Sequence, residues 1–364
     1  MLVSKLNKRV AINSTFSWLE DDLNPSWASL AACAASAATP GTSTTILTTQ
    51  TGEVYYFNKY DIIKFPSTGE LCLVSSVACA AGDEMTVIRG YGTTDCTGDT
   101  YTYAANTYFF KIGAAFPESS VSTDLSTIST KTTPATNYTQ IFRKSVEISR
   151  TLANTELYGG ADRPYQRKKK GVELMREMER TFYFGEPMIW SGTSSQPSRV
   201  TGGINYYIST NSTDAGGTLT ESEFEGFMRT VFRYGSNSRY LFAAPLILSV
   251  ISLWAQGKLQ MFPKDKTYGV AITQYLSPHG TLNLIKDVVL EHAGSISNTS
   301  YYGGYAYAVE LEDVVYRYLQ NRDIQMETDI QHPGDDLYKD QYICEVGMEF
   351  HNEKKHGKLY GVTG

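Results

Sequence analysis

Five histidines, five cysteines and one run of basic residues carry most of the chemical potential in this 364-residue chain. The histidines are His279, His292, His332, His351 and His356, and only the last two lie close together. An odd, five-residue offset puts them on opposite faces of a strand and out of line on a helix, so they do not converge on a metal. Cys33, Cys72, Cys79, Cys96 and Cys344 contain no Cys-x-x-Cys pair. That spacing gives no zinc knuckle or thioredoxin-type couple and leaves free thiols in a reducing compartment as the expectation. Phosphate-cradling glycine loops, the Gly-x-Ser-x-Gly elbow, HExxH and the EF-hand spacing are all absent from the sequence. A Ser-His-Asp triad can assemble from distant residues, which keeps a hydrolase as an alternative, but no serine occupies a nucleophile turn. Glu20-Asp21-Asp22 and Asp335-Asp336 read as arm and turn residues rather than calcium ligands. No catalytic, cofactor-binding or metal-binding residue is assigned, and no cofactor is expected.

What remains is one basic cluster, Arg163, Arg167, Lys168, Lys169 and Lys170. Its plain reading is the solvated start of a helix. Its functional reading is a candidate contact with phosphates or with acidic residues of a neighbouring subunit. Lys plus Arg total 32 against 38 Asp plus Glu, a net charge of −6, so the surface as a whole is not a nucleic-acid clamp.

The elements that would position this cluster follow from local patterning. Pro164 suits a first helical turn and Gly185 a stop, and Leu174, Met175, Met178 and Phe182 form one apolar stripe, so the spacing predicts a long amphipathic helix over 163–184. Thr220 with Glu223 predicts a capping box opening a helix over 221–234, and a second helix is expected over 245–256. Strands flanking Pro278-His279-Gly280 read as a hairpin, and residues from 306 onward are strand-rich, with a turn at Pro333-Gly334. Residues 46–112 alternate β-branched and aromatic runs with glycine turns, which suggests a small barrel or sandwich. Residues 1–45 are dominated after Trp27 by Ala, Ser and Thr and have little to bury, so they are expected to be an arm ordered only on another surface. The Ser/Thr-rich stretch near 119–140 reads as an extended excursion. No secretory h-region opens the chain and the Ala-rich run 28–38 is too short to span a bilayer. The expectation is a soluble cytoplasmic product with its four Asn-x-Ser/Thr sequons, at Asn13, Asn137, Asn211 and Asn298, unused.

The order of arm, excursion, long helix, α/β block and returning strands resembles the major capsid proteins of tailed bacteriophages (Caudoviricetes) with the Hong Kong 97-type (HK97-like) fold. The resemblance rests on NYTQIFRKSVEISRTLANTELYGGADRPYQRKKKGVELMREMERTFYFGE, on RVTGGINYYIS, and on the closing LQNRDIQMETDIQHPGDDLYKDQYICEVGMEFHNEKKHGKLYGVTG, which occur in family order. It implies an α+β fold with an N-terminal arm at 1–45, an inserted β-rich module at 46–112 and an extended E-loop at 113–160. The spine helix of a peripheral domain would fall at 161–194, an axial domain at 195–300 and further peripheral strands at 301–364. The implied function is a non-enzymatic subunit that self-assembles into pentamers and hexamers, forming an icosahedral virion head around double-stranded DNA held by weak non-specific contacts. The implied partners are further copies of the chain, a separate scaffolding protein, a portal and a decoration protein, with no membrane. The short arm carries no segment resembling a removable scaffold, and no Lys–Asn pair for a covalent cross-link is identifiable. A decoration or tail protein is the non-enzymatic alternative. The 26 tyrosines then find a role at contacts between copies, with Tyr55, Tyr56, Tyr101 and Tyr103 in the β module and Tyr301, Tyr302, Tyr305, Tyr307, Tyr316 and Tyr318 before the last strands.

Overall fold

The computed structural model describes residues 2–35, 39–78, 82–92, 95–98, 101–118, 120, 132–155, 162–191, 196–258, 273–292 and 302–363. The chain divides into two compact units, one of residues 1–20 with 134–364 and one of residues 21–133. Both are built mainly from strands, with one long helix in the first, so the α+β class read from the sequence is the observed one.

In the first unit the expected long helix runs Asp162–Phe184 and buries Leu174, Met178, Phe182 and Tyr183, whereas Met175, expected in the apolar stripe, is 39% exposed. It lies on a sheet in which Gln140–Ser149 pairs antiparallel with the long strand Leu337–Phe350, from Gln140 opposite Val346 to Ser149 opposite Leu337. Phe142, Cys344, Val346 and Met348 face the helix and share its core. Gly185 ends the helix where the returning chain passes too closely for a side chain: a Cβ there would stand 2.2 Å from the Thr201 carbonyl oxygen. Gly203 closes the same crossing, donating its N–H to the Gly185 carbonyl at 2.8 Å. Buried Asn137 staples this turn, accepting from Gly202 N–H and donating to the carbonyls of Gly202 and Met348. Its burial leaves no room for a glycan at that sequon.

The second sheet of this unit runs, in order, Ser212–Gly217, Gly357–Val362, Ala306–Val309, Ser238–Ala243, Gly280–Lys286 and Gln274–Ser277. Strand alternation sends its side chains into two cores. Leu241, Ala243, Ala306 and Ala308 meet the helices Glu221–Val231 and Pro245–Lys258, while Phe242, Tyr307 and Val309 pack toward the spine helix. The capping box at Thr220 and Glu223 forms as expected, although that helix stops at Val231. The hairpin at Pro278-His279 forms as well, with Ser277 opposite Gly280.

Several expected boundaries differ. Residues 1–20 do not wait for another surface: Leu2, Val3 and Leu6 are buried in the spine-helix core, and Asn7–Ala11 adds a parallel strand to Val314–Leu319. Three apolar side chains at that spacing suffice once a helix and sheet supply the other wall. Thr15–Glu20 pairs with Thr133–Tyr138, and the strand Gln140–Ser149 lies within the stretch expected to be E-loop, of which residues 119, 121–131 and 156–160 lie outside the described residues. The strands after 301 are not confined to one region, because Ala306–Val309 and Gly357–Val362 join the sheet built from 212–286.

The second unit is wider than the expected 46–112 module. Its sheet runs Trp27–Ser29, Tyr108–Ala114, Asp61–Lys64, Leu71–Ala78, Glu84–Ile88 and Thr44–Thr48. The two ends meet through Ala31 N–H to the Thr48 carbonyl at 2.8 Å and Gln50 N–H to the Ser29 carbonyl at 3.0 Å, so the sheet closes into a small barrel. Ala28, Leu30 and Ala34 fill its interior with Leu47, Phe65, Val74 and Phe109. The Ala-rich run that looked too poor to fold supplies the small residues a narrow barrel needs. Tyr103, Tyr307 and Tyr316 are also core residues, with 3%, 0% and 0% exposure, which removes them from the tyrosines expected at contacts between copies; Tyr301 lies outside the described residues.

Candidate intersubunit and phosphate-contact site

The first turns of the spine helix present the basic cluster, and the fold divides it. Arg163 and Arg167, four apart and so on one helix face, both reach Asp340 of the long C-terminal strand. Arg163 makes a two-pronged contact, Nε to Oδ2 at 2.8 Å and Nη2 to Oδ1 at 2.6 Å, and Arg167 Nε adds a bond to Oδ2 at 2.9 Å. Nη2 of Arg163 also reaches Asp329 Oδ1 at 2.6 Å, and its guanidinium lies 4.7 Å from the centre of the Tyr338 ring. The Asp340 side chain is 2% exposed, and hydrogen bonds from Arg163 and then Arg167 hold its carboxyl well below the usual range. Lys170 pairs with Glu173 one turn on, at 2.6 Å. Lys168 and Lys169 are exposed. The cluster is thus two arginines joined to the chain's own sheet, one lysine paired along the helix and two lysines facing solvent.

The same strand carries two more buried carboxylates, each held by arginine from another element. Glu345 accepts from Thr139 Oγ1 at 2.9 Å and from Arg199 at 3.2 Å, and Arg322 lies 3.4 Å away. Glu349 accepts from Arg317 and from His351 Nε2, the latter at 2.8 Å. Burial alone would raise the Glu349 pKa, but the His351 and Arg317 bonds outweigh it and bring it to about 2. By alternation Asp340 sits on the spine-helix side with Cys344, and Glu345 and Glu349 on the other. Sequence reading misses these pairs because Asp340 stands 177 residues from Arg163. The available signal is the i,i+4 arginine spacing, which calls for a shared partner without naming it.

His351 and His356 do not form a metal pair. His356 is fully buried, its Nε2 donating to the His351 carbonyl at 3.0 Å and its Nδ1 accepting the Glu310 N–H at 3.2 Å. Burial lowers its pKa to about 4. Among the described residues no group of three His, Cys, Asp or Glu side chains is placed to hold a metal ion, and no helix is long and apolar enough to cross a membrane. Cys344 is buried against Met178, and burial pushes its thiol up to about 12, away from nucleophilic character.

Helix, stapled turn and C-terminal strands therefore form one cross-braced scaffold whose chemistry is structural. A family model described as SU10 major capsid protein matches residues 1–363. The chain belongs to that family. It is a major capsid protein, a structural subunit of the virion shell and not an enzyme. No curated protein matches its sequence. Among solved structures, it is similar to a Mycobacterium phage Bobi chain at 9% identity and TM-score 0.48, over 100% of this chain and 90% of that one. The Mycobacterium phage Adephagia structure is similar at 9% identity and TM-score 0.45, over 99% and 89%. The encapsulin SrpI from Synechococcus elongatus is similar at 10% identity and TM-score 0.43, over 65% and 78%. The family match alone extends the expected phage-capsid reading over residues 1–363.

Proposed function

We propose that this major capsid protein assembles into pentamers and hexamers of an icosahedral head on the HK97-type plan, enclosing double-stranded DNA. The observation that carries the reading is the family match over residues 1–363. The subunit is made in the host cytoplasm, guided by a separate scaffolding protein, built around a portal and dressed by a decoration protein. In this plan the spine helix with the C-terminal strands forms the peripheral region, and the sheet with helices Glu221–Val231 and Pro245–Lys258 forms the axial region. Lys168 and Lys169 are the members of the basic cluster that would meet phosphate or a neighbour's acidic side chain. Two lysines per subunit suit weak, salt-sensitive contact with packaged DNA, because affinity scales with the phosphates neutralised.

Electron microscopy of the purified chain, alone and with its scaffolding protein, tests this reading. Closed particles with five-fold and six-fold rings are expected. A chain that stays monomeric under both conditions refutes it.

A further inference from the structure

The barrel of residues 21–133 leaves an apolar face bare. Along Tyr108–Ala114 the inward Phe109 is fully buried, while Tyr108, Phe110 and Ile112 point outward at 60%, 37% and 55% exposure. Trp27 stands opposite Phe110 on the neighbouring strand, 46% exposed, with its ring 5.7 Å from that of Tyr108. Phe116, 43% exposed, extends the face from the end of the strand and stacks edge-on with Tyr60 at 5.6 Å. Charge is almost absent here. Lys111 is joined to buried Asp61 at 2.6 Å, Lys64 lies opposite Phe110, and Lys59 Nζ lies 4.5 Å from the centre of the Tyr60 ring at the edge of the face. Two lysines at the margins of four aromatic rings are too few to recognise a polyanion, whose binding grows with the number of cations supplied.

We propose that the Trp27–Tyr108–Phe110–Ile112 face docks on the same face of a barrel in a neighbouring copy of this chain. The proposal rests on the shell-assembly reading, which surrounds each subunit with copies of itself. The area is adequate: at these exposures, and roughly 200 Å² for a large side chain, the five residues leave about 500 Å² open per copy. Two such faces together remove about 1,000 Å² from water, the level at which a specific interface becomes plausible. The face is compatible with itself, since its aromatic and aliphatic side chains can meet directly while the long stem of Lys64 carries its charge aside to water. A contact of this kind is isologous and closes in pairs, so it ties two subunits across a two-fold axis and does not propagate. Trp and Tyr at its centre are the side chains that usually carry such contacts.

The test uses the full chain. With Cys33→Ser as background, Trp27→Cys, Tyr108→Cys, Phe110→Cys and Ile112→Cys are assembled, oxidised mildly and run on non-reducing gels beside unassembled subunits. A reducible dimer of this chain from at least one variant, in particles and not in free subunits, is expected. Phe110→Asp should lower particle yield by roughly tenfold or more, because it removes the central ring and sets hydrated carboxylates, even where Lys64 pairs with them, against an apolar partner. If Phe110→Asp also lowers the melting point of the free subunit, Tyr108→Ser replaces it. Particles of wild-type yield from the polar variant, with no dimer from any cysteine variant, overturn the docking and leave shell assembly standing. Cross-links to a different protein overturn it equally. A wild-type chain that forms no particles refutes the assembly reading and the docking with it.

Discussion

His356 provides a stability test whose magnitude follows from one side chain. Its ring is fully buried against Phe350, at 4.3 Å between centroids, and both nitrogens are engaged with backbone. Burial is the largest influence and lowers its pKa; the His351 carbonyl, Asp313 and Glu310 oppose this and Arg239 assists it, leaving about 4 against an ordinary 6.5. The folded chain therefore keeps His356 neutral while the unfolded chain protonates it. Stability from this group is fully present above pH 6.5, is lost as pH falls, and levels off below about 4. Between about pH 7.5 and 4.5 the loss amounts to roughly 2.5 kcal/mol, at about 1.4 kcal/mol per pKa unit. His356→Gln removes this titration and leaves the surrounding carboxylates in place. Hydrogen exchange of the amides in Gly357–Val362 gives the opening free energy of this unit for both proteins. The wild-type advantage should shrink by roughly 2.5 kcal/mol over that range. A difference that stays constant within about 0.5 kcal/mol would refute the assignment of a neutral, depressed His356.

Three further outcomes are expected. Asp340→Ala leaves Arg163 with Asp329 and Arg167 without its partner; since both guanidiniums are about a quarter exposed, the cost at neutral pH should be roughly 2–3 kcal/mol, below that of a fully buried pair, read from urea unfolding. Because the folded pKa of Asp340 is depressed, its contribution is present above the unfolded value of 3.8 and fades as pH falls toward the lower folded value, so the gap between mutant and wild type should narrow there. In the barrel, Glu70 accepts Arg89 Nε and Nη2 at 2.6 and 2.8 Å with both side chains fully buried, so Glu70→Leu should cost roughly 3–5 kcal/mol and melt the barrel first in calorimetry. Lys168→Glu with Lys169→Glu should leave the subunit's melting point unchanged while reducing salt-dependent retention of DNA fragments by assembled shells.

Local signals were readable where the chain satisfies itself locally. The spine helix carries its own stripe, first-turn proline and stop glycine, and Thr220 and Glu223 cap each other within four residues. Long-range pairing left no such mark. Nothing near Leu2, Val3 or Leu6 announces that a helix at 174–183 will cover them. The small residues Ala28 and Ala34 looked unable to form a core because their value lies in how little space they take inside a barrel of Phe and Leu. Tyrosine misled for a related reason: a half-polar ring suits an interface, but Tyr316 satisfies its hydroxyl on Asp323 at 2.9 Å and Tyr183 on Asp287 at 2.8 Å, so these rings can be core.

The strand Leu337–Phe350 shows how arginines of this subunit are spent inside the fold. Asp340, Glu345 and Glu349 are at most 3% exposed, and each draws arginines from other elements: Arg163 and Arg167, Arg199 and Arg322, and Arg317. A guanidinium that already fills the acceptors of a buried carboxylate must leave that group unpaired to bind phosphate, at a cost that the phosphate contact does not recover. Five arginines are thereby engaged as braces between the spine helix, neighbouring segments and the sheet. Basic residues counted from composition overstate what the surface can offer, and the net charge of −6 understates how far the internal pairing has gone. Under the proposed DNA-enclosing role, placing arginine inside the subunit and leaving exposed lysine at Lys168 and Lys169 would separate the rigidity of the subunit from its adhesion to the cargo.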